Sequence, residues 1–279
     1  MWDESKHPRT GDGRFDVAKN PAPESPLAGE GPVSVEDQML DVEFQFGVGP
    51  EQVKRDHLIS HALAAIANSG TEDVVFFGGT ALSRTLLTDL RLSEDIDLIA
   101  LGDRGEISDR IEQSLDRALR RPFGRVTFTP RLRDARHPEP SVMTAGGIRV
   151  QIQLLSAEGY PPWPTEVVDI EQRYADAPPA RMRVLTPEGF VASKLSAWVD
   201  REAPRDLYDL WALTQRGNIT PEAAALFGKY GPFTSTRGIS FVRVPTDAEW
   251  DAALDHQCIV GVRPREAAEM VQAALNDLG

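Results

Sequence analysis

Asp95 and Asp97, in the segment DIDLIAL (residues 95–101), are the residues whose spacing speaks most directly of chemistry. In a strand they share one face, while Ile96 and Leu98 turn to the other. Two carboxylates about 7 Å apart along a strand repel each other. A hard divalent cation such as Mg²⁺ relieves that repulsion, and it binds through one or two carboxylates plus substrate phosphates. Such an ion stabilises the attacking and leaving oxygens of a phosphoryl or nucleotidyl transfer. A DxD pair alone also describes a solvated acidic strand end. Just upstream, VVFFGGT (residues 74–80) reads as a buried strand running into Gly78, Gly79 and Thr80, with a helix to follow. Glycine admits a phosphate close to the backbone, and a helix start presents free N–H groups. A tight turn uses the same residues, but strand, GGT, helix and then Ser93 in SEDIDL form a stronger combination than any part.

Further along, Phe190, Lys194 and Trp198 are four residues apart, which puts Lys194 within an apolar helical stripe. Its ammonium either snorkels to water or pairs with a β- or γ-phosphate as a compact charge. Asp206 and Asp209, one turn apart in RDLYDL, flank a stripe of Leu207, Leu210 and Trp211. Their ordinary use is to salt-bridge Arg201 and Arg205 at the helix start, where acids suit the helix dipole. His57 and His61 also lie one turn apart. Paired histidines at that spacing can bind a metal, although the accompanying glutamate of the metalloprotease motif is absent.

These residues need elements to position them. A helical repeat from about Glu51 closes at Gly70, and helical patterns follow over TALSRTLLTDL and GEISDRIEQSLDRALRR. RVTFTPRL and GGIRVQIQLL alternate as strands, the latter with Arg149, Gln151 and Gln153 on its polar face. After RMRVL the chain turns helical, first in TPEGFVASKLSAWVD, where Thr186 and Pro187 form an N-cap and first turn. The expected organisation is a Pro- and Gly-rich disordered tail (residues 1–35), an α/β core (36–180) and a helical C-terminal part (181–279).

Composition narrows the function classes. The 279-residue chain carries a formal net charge of −13, which argues against indiscriminate nucleic-acid binding because phosphate contacts need Lys and Arg. Arg117, Arg120, Arg121, Arg125, Arg131, Arg133 and Arg136 nevertheless crowd residues 116–136. That strip is either a solvated, salt-bridged surface or a line of phosphate contacts. A single cysteine, Cys258, excludes an internal disulfide and a cysteine zinc site. No run reaches the roughly 18 apolar residues of a membrane span, and the N-terminus lacks the pattern of a signal peptide, so a cytoplasmic protein is expected.

GGTALSR together with RLSEDIDL resembles the signature of the DNA polymerase β-like nucleotidyltransferase superfamily, specifically its AbiEii/MenT toxins. The segment LTPEGFVASKLSAWVDREAPRDLYDLWAL (residues 185–213) is similar to that family's second block. The resemblance spans about residues 70–215. It implies an α/β (α+β) fold with a mixed sheet and a helical C-terminal part, Mg²⁺ (or Mn²⁺), and a nucleoside triphosphate as substrate. It further implies a type IV toxin with a separate antitoxin, and an RNA acceptor, the tRNA 3′ end in characterised relatives. On this reading Asp95 and Asp97 ligate the metal, and Gly78, Gly79, Thr80 and Ser93 cradle the phosphates. Lys194 neutralises the triphosphate, and Asp206 is an extra acid, as ligand or base. Arg117, Arg120, Arg121, Arg131 and Arg133 contact RNA. One departure stands out: these enzymes usually draw a third carboxylate from a neighbouring strand, and the natural strand here offers glutamines. A small-molecule nucleotidyltransferase and a non-catalytic nucleotide- or antitoxin-binding module remain alternatives.

Overall fold

The computed structural model describes residues 33–70, 72–136 and 138–278, so most of the expected tail, 1–32, lies outside the described residues. The chain enters through two helices, α1 (Val35–Phe46) and α2 (Pro50–Gly70). Strands β1 (Val74–Phe77) and β2 (Asp95–Ala100) flank the short helix α3 (Gly78–Ser83), and α4 (Arg104–Phe123) follows. Then come β3 (Thr127–Thr129), β4 (Ser141–Ala145), β5 (Ile148–Ser156), β6 (Thr165–Ile170) and β7 (Ala180–Leu185). The remainder is helical: α5 (Pro187–Arg201), α6 (Pro204–Gln215), α7 (Pro221–Tyr230), α8 (Asp247–Leu254) and α9 (Pro264–Asn276).

The strands make one seven-stranded mixed sheet in the order β3-β4-β5-β2-β1-β7-β6. β2 lies at its centre, antiparallel to β1 and parallel to β5. β1 pairs parallel with β7, which draws residues up to Leu185 into the sheet. Apolar stripes at helical spacing cover it: Leu58, Leu63 and Ile66 of α2 and Ile107, Ile111, Leu115 and Leu119 of α4 are buried with Phe76, Ile96, Leu98 and Ile152. Each such side chain removed from water contributes about 1.5–3 kcal/mol. The result is a rigid central strand on which a charged pair can be held.

Two expected elements are shorter than their patterns. The helix over TALSRTLLTDL ends at Ser83. The Thr85 hydroxyl takes the Ala81 carbonyl at 2.8 Å, a side-chain bond that competes with continuing the helix. Arg84, wholly buried, turns to the Asp56 carboxylate (2.8 Å) and the Glu171 carbonyl (2.9 Å), tying the end of α3 to α2. In RVTFTPRL only Thr127–Thr129 pairs, because Pro130 has no N–H for a ladder.

Candidate active site

Strand alternation places the two aspartates as their spacing predicts: Asp95 and Asp97 are partly exposed, while Ile96 and Leu98 are buried. Parallel pairing sets Gln151 opposite Asp95 and Gln153 opposite Asp97. The neighbouring strand therefore carries amides where a third carboxylate would stand. Asp95, Asp97, Gln151 and Gln153 line a cavity of about 300 Å³, together with Gly79, Ser93, Arg91, Lys194, Arg201, Arg205 and Asp206.

Gly78 is taken up by packing against Asp97 rather than open to a phosphate. Gly78 has φ +77°, and an added Cβ would run into the Asp97 carboxylate. A side chain there would be strained twice, by its backbone and by the neighbour. At Gly79 a Cβ would lie 2.8 Å from an Arg91 guanidinium nitrogen and 3.2 Å from the Ser93 hydroxyl. The Thr80 hydroxyl donates to the carbonyl of Asp95 and is buried. Gly78 and Thr80 thus clamp β2 against the start of α3, while Gly79 and Ser93 face the cavity.

Burial, and then the neighbouring Asp95, push Asp97 up to about 6 despite Lys194 and Arg201. Asp95 is raised as well, by burial and Glu94. This is an acidic pair short of positive charge.

Across the cavity the balance is reversed. Lys194 is buried in α5, and its Nζ donates to Asp206 (3.0 Å) and contacts Asp209 (2.6 Å). Burial opposes its charge, but Asp209 and Asp206 outweigh it, so its pKa is raised. Asp206 also receives two bonds from Arg201, at 2.7 and 3.0 Å. Burial would raise it, yet Lys194 and Arg201 hold it down at about 2. Arg91 forks onto Asp209 with bonds of 2.8 and 2.9 Å and donates to Gln257 at 2.8 Å. A buried ion-pair network of this kind fixes side chains in place rather than adding net stability. α5 owes its start to Thr186, whose hydroxyl accepts from the Gly189 N–H, and Pro187 at its first position.

Arg91 opens RLSEDIDL, and Arg201 and Arg205 lie in the block of residues 185–213, but none of the three reads there as part of the cavity. Their signal is faint: an arginine opening RLSEDIDL, one ending α5 and one in the first turn of α6 look like ordinary surface charge. The arginine strip is partly neutralised, since Arg120 pairs with Asp116, Arg131 with Glu112 and Asp109, and Arg133 with Asp109. Arg117 and Arg121 are exposed on α4.

A solved structure with this fold is MenT4, a nucleotidyltransferase toxin from Mycobacterium tuberculosis H37Rv. It superposes with TM-score 0.64 at 18% identity, over 86% of this chain and 89% of that one. An antigenic nucleotidyltransferase-like protein from Paracoccidioides brasiliensis aligns at TM-score 0.38 and 12% identity, over 62% of this chain and 87% of that one. No curated protein matches the sequence. The family described as "Nucleotidyl transferase AbiEii toxin, Type IV TA system" matches residues 61–272. With the acidic pair, the lysine and the sheet in the places described, the chain belongs to the AbiEii family of nucleotidyltransferase toxins.

Proposed function

We propose that this enzyme transfers a nucleoside monophosphate from a nucleoside triphosphate to an RNA acceptor, the 3′ end of tRNA, and so blocks translation and growth. One observation carries the reading: a cavity with the uncompensated pair Asp95 and Asp97 on β2 and the cations Lys194, Arg201 and Arg205 on the helices. A triphosphate brings more negative charge than those cations offset, given the acids they already hold. The elevated Asp97 pKa marks a site that favours added positive charge, and an all-oxygen pair suits Mg²⁺ or Mn²⁺. Asp95 and Asp97 would hold that ion. When bound, it supplies charge stabilisation at the reacting phosphate.

The chain's own residues do the rest by positioning. Lys194, Arg201 and Arg205 bind the triphosphate, and Gly79 and Ser93 meet its oxygens from the side of β2. Asp206 is a positioning residue: its oxygens are taken by Lys194 and Arg201, and a carboxylate near 2 is a poor base at neutral pH. The acceptor hydroxyl oxygen bonds to the α-phosphorus as the bond to the β-phosphate breaks, pyrophosphate leaves, and the hydroxyl proton passes to solvent. Arg117 and Arg121 on α4, with Arg120, Arg131 and Arg133 nearby in the chain, contact the RNA backbone. Membership of a type IV toxin–antitoxin family supports a protein antitoxin as partner. Among the described residues no helix is long and apolar enough to cross a membrane, in keeping with action in the cytoplasm.

The test is incubation of the purified protein and Mg²⁺ with each labelled nucleoside triphosphate, with and without tRNA, followed by a denaturing gel. Label should move onto tRNA with wild type and stay on nucleotide with Asp97→Asn. A small-molecule acceptor is the second reading, favoured by the net charge of −13 and the paired arginines. Turnover of nucleotide without label on any RNA would select it.

A further inference from the structure

The two histidines of α2 are not part of the cavity, and they do not stand alone. Asp176, in the connection between β6 and β7, comes back onto them. His57 Nε2 lies 3.2 Å from His61 Nε2, and Asp176 Oδ2 lies 3.0 Å from the first and 3.2 Å from the second. Three donor atoms thus form a nearly equilateral triangle. A tetrahedral ion with bonds of about 2.0–2.1 Å separates its ligand atoms by about 3.3 Å. The two imidazole rings stand at 90° to each other, with an Nε2 of each at a corner of the triangle. Phe123 packs on both rings and Tyr174 on His57, which supplies the apolar wall that orients ligands and limits water. The histidine side chains are 11% exposed, but that of Asp176 is 38% exposed, which leaves a path in from solvent.

We infer that His57, His61 and Asp176 form a second metal site, for a tetrahedral transition-metal ion of the Zn²⁺ class, distinct from the nucleotide cavity. Two imidazoles and one carboxylate favour such an ion over Mg²⁺, which prefers oxygen. None of the three residues lines the cavity of Asp95 and Lys194. The ion would pin α2 to the β6–β7 connection, joining segments more than a hundred residues apart in sequence. The i,i+4 histidine pair is visible in the sequence, and the missing glutamate points away from a protease; the third ligand is supplied by the fold.

The full chain, free of any histidine tag and stripped with chelator, is titrated with Co²⁺ in excess Mg²⁺. Intense visible bands of tetrahedral Co²⁺ are expected, displaced by one equivalent of Zn²⁺, with a rise in Tm on Zn²⁺ addition. Asp176→Asn, on a partly exposed loop, and His61→Gln should each weaken binding at least about tenfold, since even outer-shell changes cost that much. Asp97→Asn should leave the bands intact. Weak octahedral bands, no binding, or equal affinity in the Asp176→Asn protein would overturn the site and leave a hydrogen-bonded knot in its place.

Discussion

Asp97 and Asp206 line one cavity and depart from the ordinary aspartate value of 3.8 in opposite directions, to about 6 and about 2. Asp97 is harder to ionise in the fold than in the unfolded chain, so it withdraws stability as pH rises from about 4 through about 6, by about 3 kcal/mol in all. Asp206 contributes stability that is present above 3.8 and lost as pH falls through about 2. In chelator at neutral pH, Asp97→Asn should therefore raise the urea midpoint while abolishing transfer; a lower midpoint would mean the pair is not strained. Asp206→Ala leaves Lys194 with Asp209 alone and releases the largely exposed Arg201, and should cost about 1.5–3 kcal/mol by urea unfolding. The aspartates and the lysine stand out in the sequence through the two motif blocks taken together, spacing alone leaving each an ordinary reading. The arginines do not, because Arg91 meets Asp209 across 118 residues of sequence, a pairing that no local pattern encodes.

At the scale of elements, the joint from β1 through α3 into β2 sets the precision of the acidic pair. Gly78→Ala places a Cβ at φ +77° against the Asp97 carboxylate. It should destabilise the fold by more than about 1 kcal/mol and reduce transfer more than nucleotide binding, read as kcat against KM. Thr186→Ala removes the cap of the helix that carries Lys194 and should cost about 1 kcal/mol with activity largely retained, checked by urea melts and by the tRNA gel. The long helices and β2 are legible because their apolar periods are long and unbroken. β4, β6 and α1 are not: short edge-side strands have few repeats to read, and β6 has five of its six residues only partly buried or exposed. Arg84 belongs to the GGTALSR stretch, but its place in the core beside Asp56 depends on α2 arriving from elsewhere.

Over the whole molecule, the proposed RNA acceptor requires an acidic chain to meet a polyanion through a local patch. Replacing Arg117 and Arg121 by Glu should weaken tRNA affinity and flatten its dependence on salt, by about one unit of slope for each phosphate no longer neutralised. An unchanged slope would move the RNA to another face. The whole molecule also decides when the cavity is assembled. Arg91 reaches Gln257 with its guanidinium, and the Leu92 N–H donates to the Gln257 carbonyl at 2.9 Å. The loop that leads into the acidic pair is therefore pinned by a residue made late in synthesis. A nascent chain still being extended through α6 carries the aspartates and the lysine but lacks that pin. Birth order along the ribosome thus separates possession of the reactive groups from their alignment.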